Sequence, residues 1–149
     1  DAYSRSFPST LASAKTAPRR MAVPDKLEFF GDAQAGPAFG KAIAEHQAVA
    51  FHLAEMATGI EVARSMCHHA ARLKQSRVRC IKEASISKLF ASQMAETVCS
   101  KAIQVHGGYG FINGFPVEKY YRDARVFQIY DGTNEVQKIL ISREILAGY

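Results

Sequence analysis

FHLAEMATGIEVARSMCHHAARLK, residues 51–74, decides the fold. Leu53, Met56, Ile60, Ala63, Cys67 and Ala70 recur at alternating steps of three and four, the spacing of one face of an α-helix. The stretch is also rich in Ala, Glu, Met and Arg, all good helix formers. Together these features predict a helix from about Ala42 to Lys74. A basic break, LKQSRVRC (73–80), ends it. From Ala84 to Val105 the pattern returns, with Ala91, Ala95, Val98, Ala102 and Val105 on one stripe. Small residues dominate that stripe, so a neighbouring helix can approach closely.

GGYGFINGFP (107–116) stops the second helix, because glycine and proline continue a helix only at a cost. Pro116 suits a first helical turn, and VEKYYRDARVFQ (117–128) reads as a third helix. DGT (131–133) interrupts again. Asn134 followed by Gln137 has the spacing of a capping box, and VQKILISREIL (136–146) reads as a fourth helix. No segment alternates as a strand does. Two long antiparallel helices followed by two shorter ones make an all-α helical bundle.

The 149 residues are 48% hydrophobic and 22% charged with a net charge of +5, an ordinary balance for one globular domain. No dense basic run is interleaved with aromatics, so nucleic acid is not an expected partner. The apolar stretches are too short for a transmembrane segment. Cys67, Cys80 and Cys99 are odd in number and show no C-x-x-C spacing, which favours buried thiols in a reducing compartment over a disulfide framework.

Residues 1–38 have a different composition. Between Ala2 and Pro24 there is no acid, while Arg5, Lys15, Arg19 and Arg20 lie among Ser, Thr and Ala. This is the composition of a mitochondrial targeting remnant or of a polar arm, and both readings stand at this level. The first gives the expectation of a mitochondrial protein. MAVPDKLEFFGDAQAGPA (21–38) carries prolines and glycines that preclude a long helix, so an irregular N-terminal arm is expected ahead of a helical domain at 39–149.

The helical part resembles the C-terminal domain of the acyl-CoA dehydrogenases, most nearly the medium-chain type. The matching pieces come in family order: FGK (39–41), EHQ (45–47), LAEMA (53–57), QVHGGYGF (104–111), FPVEKYYRDARVFQIY (115–130) and DGTNEVQ (131–137). The resemblance implies FAD-dependent α,β-dehydrogenation of an acyl-CoA, in which a carboxylate takes the α-proton and flavin takes the β-hydride. Electrons then leave to an electron-transferring flavoprotein. It places Asp131 at the catalytic base and Tyr130 beside the substrate. Thr133 and Glu135 fall where the family contacts the flavin. Gln104, Gly107 and Gly108, with Phe39, His46 and Gln47, fall where it meets the FAD of a neighbouring subunit, which implies a homo-oligomer.

The chemistry is reasonable for these residue types. Abstraction of an α-proton beside a thioester needs a positioned carboxylate in a dry site. Glycines allow a bulky cofactor to lie against the backbone. A helix N-terminus beyond Thr133 offers free N–H groups to an anion. No metal site is expected. His68 and His69, with no further ligand at metal spacing, read as surface or packing residues.

Three departures limit the expectation. The base position is Asp where the medium-chain pattern has Glu, a loss of reach on the order of 1 Å, and misplacement of that size costs about 100-fold in rate. Gly36 stands where the family has an arginine on the flavin pyrophosphate. No counterpart of the family's two preceding domains or of its first bundle helix is recognisable. The chain alone is therefore not expected to turn over substrate, and an alternative is a non-catalytic structural subunit of a larger mitochondrial assembly. Without its first helix the bundle is expected to expose an apolar groove.

Overall fold

The computed structural model describes residues 37–38 and 40–148. The body of the expected arm, with Leu27, Phe29, Phe30 and Gly36, lies outside the described residues, as does Phe39 of the expected cofactor set.

The described chain opens with a small hairpin. Strand β1 (Pro37–Ala38) pairs antiparallel with β2 (Lys41–Ala42), in the register Pro37 to Ala42 and Ala38 to Lys41. Gly40 turns it at φ +82°. Strands of two residues are too short to show alternation, so the sequence pattern could not mark them. The hairpin also spans the boundary expected at residue 38.

After a single 3-10 turn at Ile43–Glu45 come four helices: α1 (Gln47–Gln75), α2 (Ile81–His106), α3 (Pro116–Val126) and α4 (Asn134–Leu146). The all-α bundle expected from the helical periodicity is what the described residues form. Glu55 pairs with Lys101 and the Ser87 hydroxyl donates to Cys67 Sγ at 3.1 Å, so α1 and α2 run antiparallel. The turn between them uses Arg77 at φ +58°. Arg79 then ties this turn to α4 through Glu144, 2.6 Å away.

Helix α2 is the spine, and α1, α3 and α4 all pack on it. Its small residues permit this. Ala102 is fully buried, and Val98 and Val105 join Met56 of α1 and Val117 of α3 in the core. Tyr120 packs against that cluster, whereas Tyr121 is exposed.

The stripe on α1 is only partly buried. Met56 and Gly59 are buried, but Cys67, expected on the same face, is exposed. Alpha1 packs chiefly on α2, which leaves much of its surface uncovered beyond Gly59. Helix α2 also buries Ser85, Ser87 and Ser92, which a purely apolar pattern does not reveal. Among the described residues, no helix is long and apolar enough to cross a membrane.

Candidate functional site

The turn joining α3 to α4 carries the expected base. Helix α3 ends at Val126, and Ile129 and Tyr130 continue the turn by donating to the Val126 carbonyl. Asp131 (φ +53°) and Gly132 (φ +85°) then take successive left-handed conformations. For glycine that is ordinary, but a non-glycine residue there is uncommon and held by its surroundings. Asp131 is exposed at the tip of the turn. Tyr130, also exposed, has its phenol raised above the ordinary value, first by partial burial and then by the Asp131 carboxylate. Among the described residues Asp131 is therefore left exposed. The dry surroundings a thioester base requires would have to come from outside the described residues.

The start of α4 differs from the sequence expectation in two ways. The capping residue is Thr133, whose hydroxyl accepts from Val136 N–H at 3.4 Å, and not Asn134. Asn134 is the first helical residue, only 4% exposed, and its side-chain oxygen accepts from Lys88 Nζ and Ser92 Oγ, both at 3.0 Å. Two donors on α2 draw that side chain inward, so it cannot cap. Gln137, expected to complete the box, donates instead to the Gly132 carbonyl at 3.2 Å.

The second difference concerns free donors. Asn134 N–H donates to Gln128 O at 3.1 Å, Gln137 N–H to Thr133 O at 3.0 Å, and Val136 N–H to the Thr133 hydroxyl. The Glu135 carboxylate accepts from its own backbone N–H and from Thr133, which holds it below the ordinary carboxylate range. The N–H groups of Asn134, Val136 and Gln137 are thus engaged, which leaves little for an anion to bind in the first turn of α4. What remains accessible is a hydroxyl and a carboxylate. That set fits the neutral donors of a flavin, its ring N–H and ribityl hydroxyls, better than its pyrophosphate.

The other expected residues gather at the far end of the spine. Gln104 is exposed in the last turn of α2, where Gly107 leaves the helix at φ +60°. The antiparallel pairing brings the start of α1, with half-buried His46 and exposed Gln47, to this same end. Gly107 and Gly108 are exposed, and a Cβ added at either would meet nothing within 4 Å, so a ligand can lie against this backbone. Around them Tyr109, Phe111, Ile112 and Phe115 stand exposed, with the Tyr109 and Phe115 rings 5.4 Å apart. An aromatic cap of this kind fits a planar ring or a partner surface.

The structure therefore separates the expected residues into two groups. Asp131, Thr133 and Glu135 share one turn, anchored opposite Ser92. Gln104, Gly107, Gly108, His46 and Gln47 share the other end. Gln104 lies twelve residues beyond Ser92, about 18 Å along the helix at 1.5 Å per residue. Among the described residues a groove of about 450 Å³ lies between α1 and α2, lined in part by Met56, Gly59, Val62, Phe90 and Met94. None of the expected site residues lines it.

Sequence reasoning missed Lys88, Ser92 and Glu96, whose side chains on α2 hold the Asp131 turn. Their spacing of four places them on one helix face, but nothing in the sequence shows what that face meets.

Comparison with known proteins agrees with the helical fold. The family model described as acyl-CoA dehydrogenase, C-terminal domain, matches residues 28–146, which takes in the end of the region read as an arm. The caffeyl-CoA reductase-Etf complex subunit CarC of Acetobacterium woodii is 48% identical over 108 residues, 72% of this chain and 28% of CarC. The human mitochondrial short-chain specific acyl-CoA dehydrogenase is 42% identical over 112 residues, 75% of this chain and 27% of that enzyme. The structure of butyryl-CoA dehydrogenase from Megasphaera elsdenii superimposes with a TM-score of 0.78 at 37% identity, over 80% of this chain and 31% of that one. The chain thus spans under a third of the length of these relatives. With fold, motif order and relatives in agreement, the chain belongs to the acyl-CoA dehydrogenase family, as its C-terminal helical domain.

Proposed function

We propose that this chain supplies the base-bearing helical part of an FAD-dependent acyl-CoA dehydrogenase. The observation that carries the reading is Asp131. It is an acid at the family's base position, displayed at the tip of a braced turn instead of folded into the chain's own core.

In this reading Asp131 takes the α-proton of an acyl-CoA thioester, and Tyr130 lines the acyl chain beside it. Bound FAD supplies the hydride acceptor. Thr133 and Glu135 meet the flavin through a hydroxyl and a carboxylate. Gln104, Gly107 and Gly108, with His46, Gln47 and Phe39, receive the adenosine end of a neighbouring subunit's FAD, so the working unit is an oligomer. Electrons pass onward to an electron-transferring flavoprotein, a partner class supported by the CarC relative, which is named as a subunit of an Etf complex.

The chain's own contribution is a proton acceptor and part of each flavin wall. The walls that exclude water are not among the described residues. Asp131 is also one methylene shorter than the usual glutamate, so proton abstraction is slower than in a glutamate-bearing relative by about 100-fold unless the turn lies closer to the thioester. The alternative of a structural subunit draws no support from the relatives above, which are named as dehydrogenases or a reductase-complex subunit. Purified with the partners that complete the site, the protein should carry a yellow flavin that an acyl-CoA bleaches, and Asp131→Asn should abolish bleaching while flavin stays bound. Bleaching that survives Asp131→Asn would remove Asp131 from the role of base.

A further inference from the structure

The turn that presents Asp131 is bound to α2 by side chains that the reaction itself does not use. Asn134 lies three residues beyond Asp131 and is almost fully buried. Its side-chain oxygen takes two donors from α2, Lys88 Nζ and Ser92 Oγ, each at 3.0 Å. Ser92 Oγ also lies 3.1 Å from Leu89 O, and a hydroxyl has one proton to share between the two acceptors. Lys88 is under no such constraint. Among the described residues its half-buried ammonium pairs with no carboxylate, so its charge is directed at a neutral amide oxygen. Hydrogen bonds from a charged donor are the stronger kind.

The same two donors settle the orientation of the amide. Turned over, Asn134 would set its own NH₂ against an ammonium and a hydroxyl already donating. In the observed orientation Nδ2 is buried without a partner among the described residues. That is an unfavourable arrangement, retained because the oxygen side is so well served.

From Asn134 the restraint passes along the backbone. Its N–H donates to Gln128 O at 3.1 Å, closing a loop over residues 128–134. Gln128 is itself held to α2 by donating to Glu96. Between these two anchors Asp131 adopts φ +53°. A left-handed non-glycine residue relaxes unless both flanks are fixed.

We propose that Lys88 is a positioning residue: through Asn134 it holds the turn in the conformation that presents the Asp131 carboxylate. This rests on the reading of Asp131 as the base, and it gives that base a support from the eighth residue of α2, outside the motifs quoted above. Ser92 is the lesser donor in the same clamp. Removing Lys88 leaves helix α4 in place, because Arg79–Glu144 and the packing on α2 hold its remaining length. What relaxes is the turn.

The test is nuclear magnetic resonance on the full 149-residue chain, comparing wild type with Lys88→Met and Lys88→Arg. In Lys88→Met the Asn134 amide should exchange with solvent at least tenfold faster. The Asp131 amide–Hα coupling should depart from its left-handed value, while protection across α1 stays unchanged. Lys88→Arg, which keeps a charged donor, should restore both signals. A Lys88→Met chain in which Asn134 exchanges faster but the Asp131 coupling is unmoved overturns the proposal, since Lys88 would then be a stabilising residue only. Should Lys88→Met lose α1 protection, Ser92→Ala decides: a smaller shift of the same two signals supports the clamp, and no shift overturns it. Neither signal depends on flavin or thioester, so bleaching that survives Asp131→Asn would remove the base reading and leave this result standing.

Discussion

The turn before α3, residues 107–115, leaves Tyr109, Phe111, Ile112 and Phe115 in solvent and is shaped mainly by glycine. The turn after α3, residues 127–133, is laced to α2 by side chains. Both carry family motifs and both are expected to meet FAD, yet they are shaped differently. Gly107 and Gly114 take positive φ, and Gly110 is buried where a side chain has no room. That first turn is defined by what is absent from it. The second places a non-glycine residue, Asp131, where glycine would be easier, and depends on Lys88, Ser92 and Glu96 to keep it there. A surface awaiting a ligand or a neighbour can be left open. A residue that must present one carboxylate has to be held.

The hardest test of this contrast is within the first turn. A Cβ on Gly110 would lie 2.7 Å from the Ile103 carbonyl and 2.8 Å from His106 Cβ, both parts of the end of α2. Gly110→Ala should cost about 3 kcal/mol by urea denaturation, since backbone rather than a flexible side chain must shift. Gly108→Ala, with nothing within 4 Å, should leave stability within about 0.5 kcal/mol of wild type. If Gly108→Ala nevertheless loses flavin, the exposed backbone is where the cofactor lies. Equal losses of stability at the two positions would break the distinction between a packed and an open glycine.

The second turn predicts a smaller but still clear loss. Asn134→Ala removes the acceptor shared by Lys88 and Ser92, and should cost about 1.5 kcal/mol, in the range for a hydrogen bond with a charged partner. Asp131→Gly should act in the opposite direction. It relieves the positive φ at the price of a more flexible unfolded chain, and should stabilise by about 0.5 kcal/mol while removing the base. A mutation that raises the denaturation midpoint and abolishes bleaching would show that the turn is held for function. Destabilisation by Asp131→Gly would mean that the aspartate side chain itself braces the turn.

Much of the fold was legible because helical periodicity is a local signal. The α2 stripe named Val98, Ala102 and Val105 correctly, and Pro116 marked the start of α3. Other features depend on what a face meets. Ser87 and Ser92 are buried where they meet Cys67 of α1 and Asn134 of α4, whereas Cys67 itself stays exposed. The capping box failed for a related reason. Asn134 and Thr133 are both good caps by residue type, and only the long-range donors Lys88 and Ser92 decide which of them turns inward. The motif order gave the position of the proposed base without its support, since the residues that hold Asp131 lie more than thirty positions earlier in the chain.

The smallest expected effect concerns Glu135 and follows from its local bonds. Its carboxylate is held below the ordinary range, chiefly by its own backbone N–H, next by the Thr133 hydroxyl, and more weakly by Lys138 and Arg125. A depressed folded-state value means that its contribution to stability is complete above the unfolded carboxylate value of about 4.3. The contribution is lost as pH falls through the lower folded value. Wild type should therefore exceed Glu135→Gln in stability at pH 7, and the gap should close progressively on acidification below about pH 4.3. Because the side chain is exposed, the gap at neutral pH is small and should narrow with added salt. If the gap persisted undiminished at low pH, the carboxylate's charge would not be its source. Glu135 would then be free to turn outward to a bound flavin without loss to the helix.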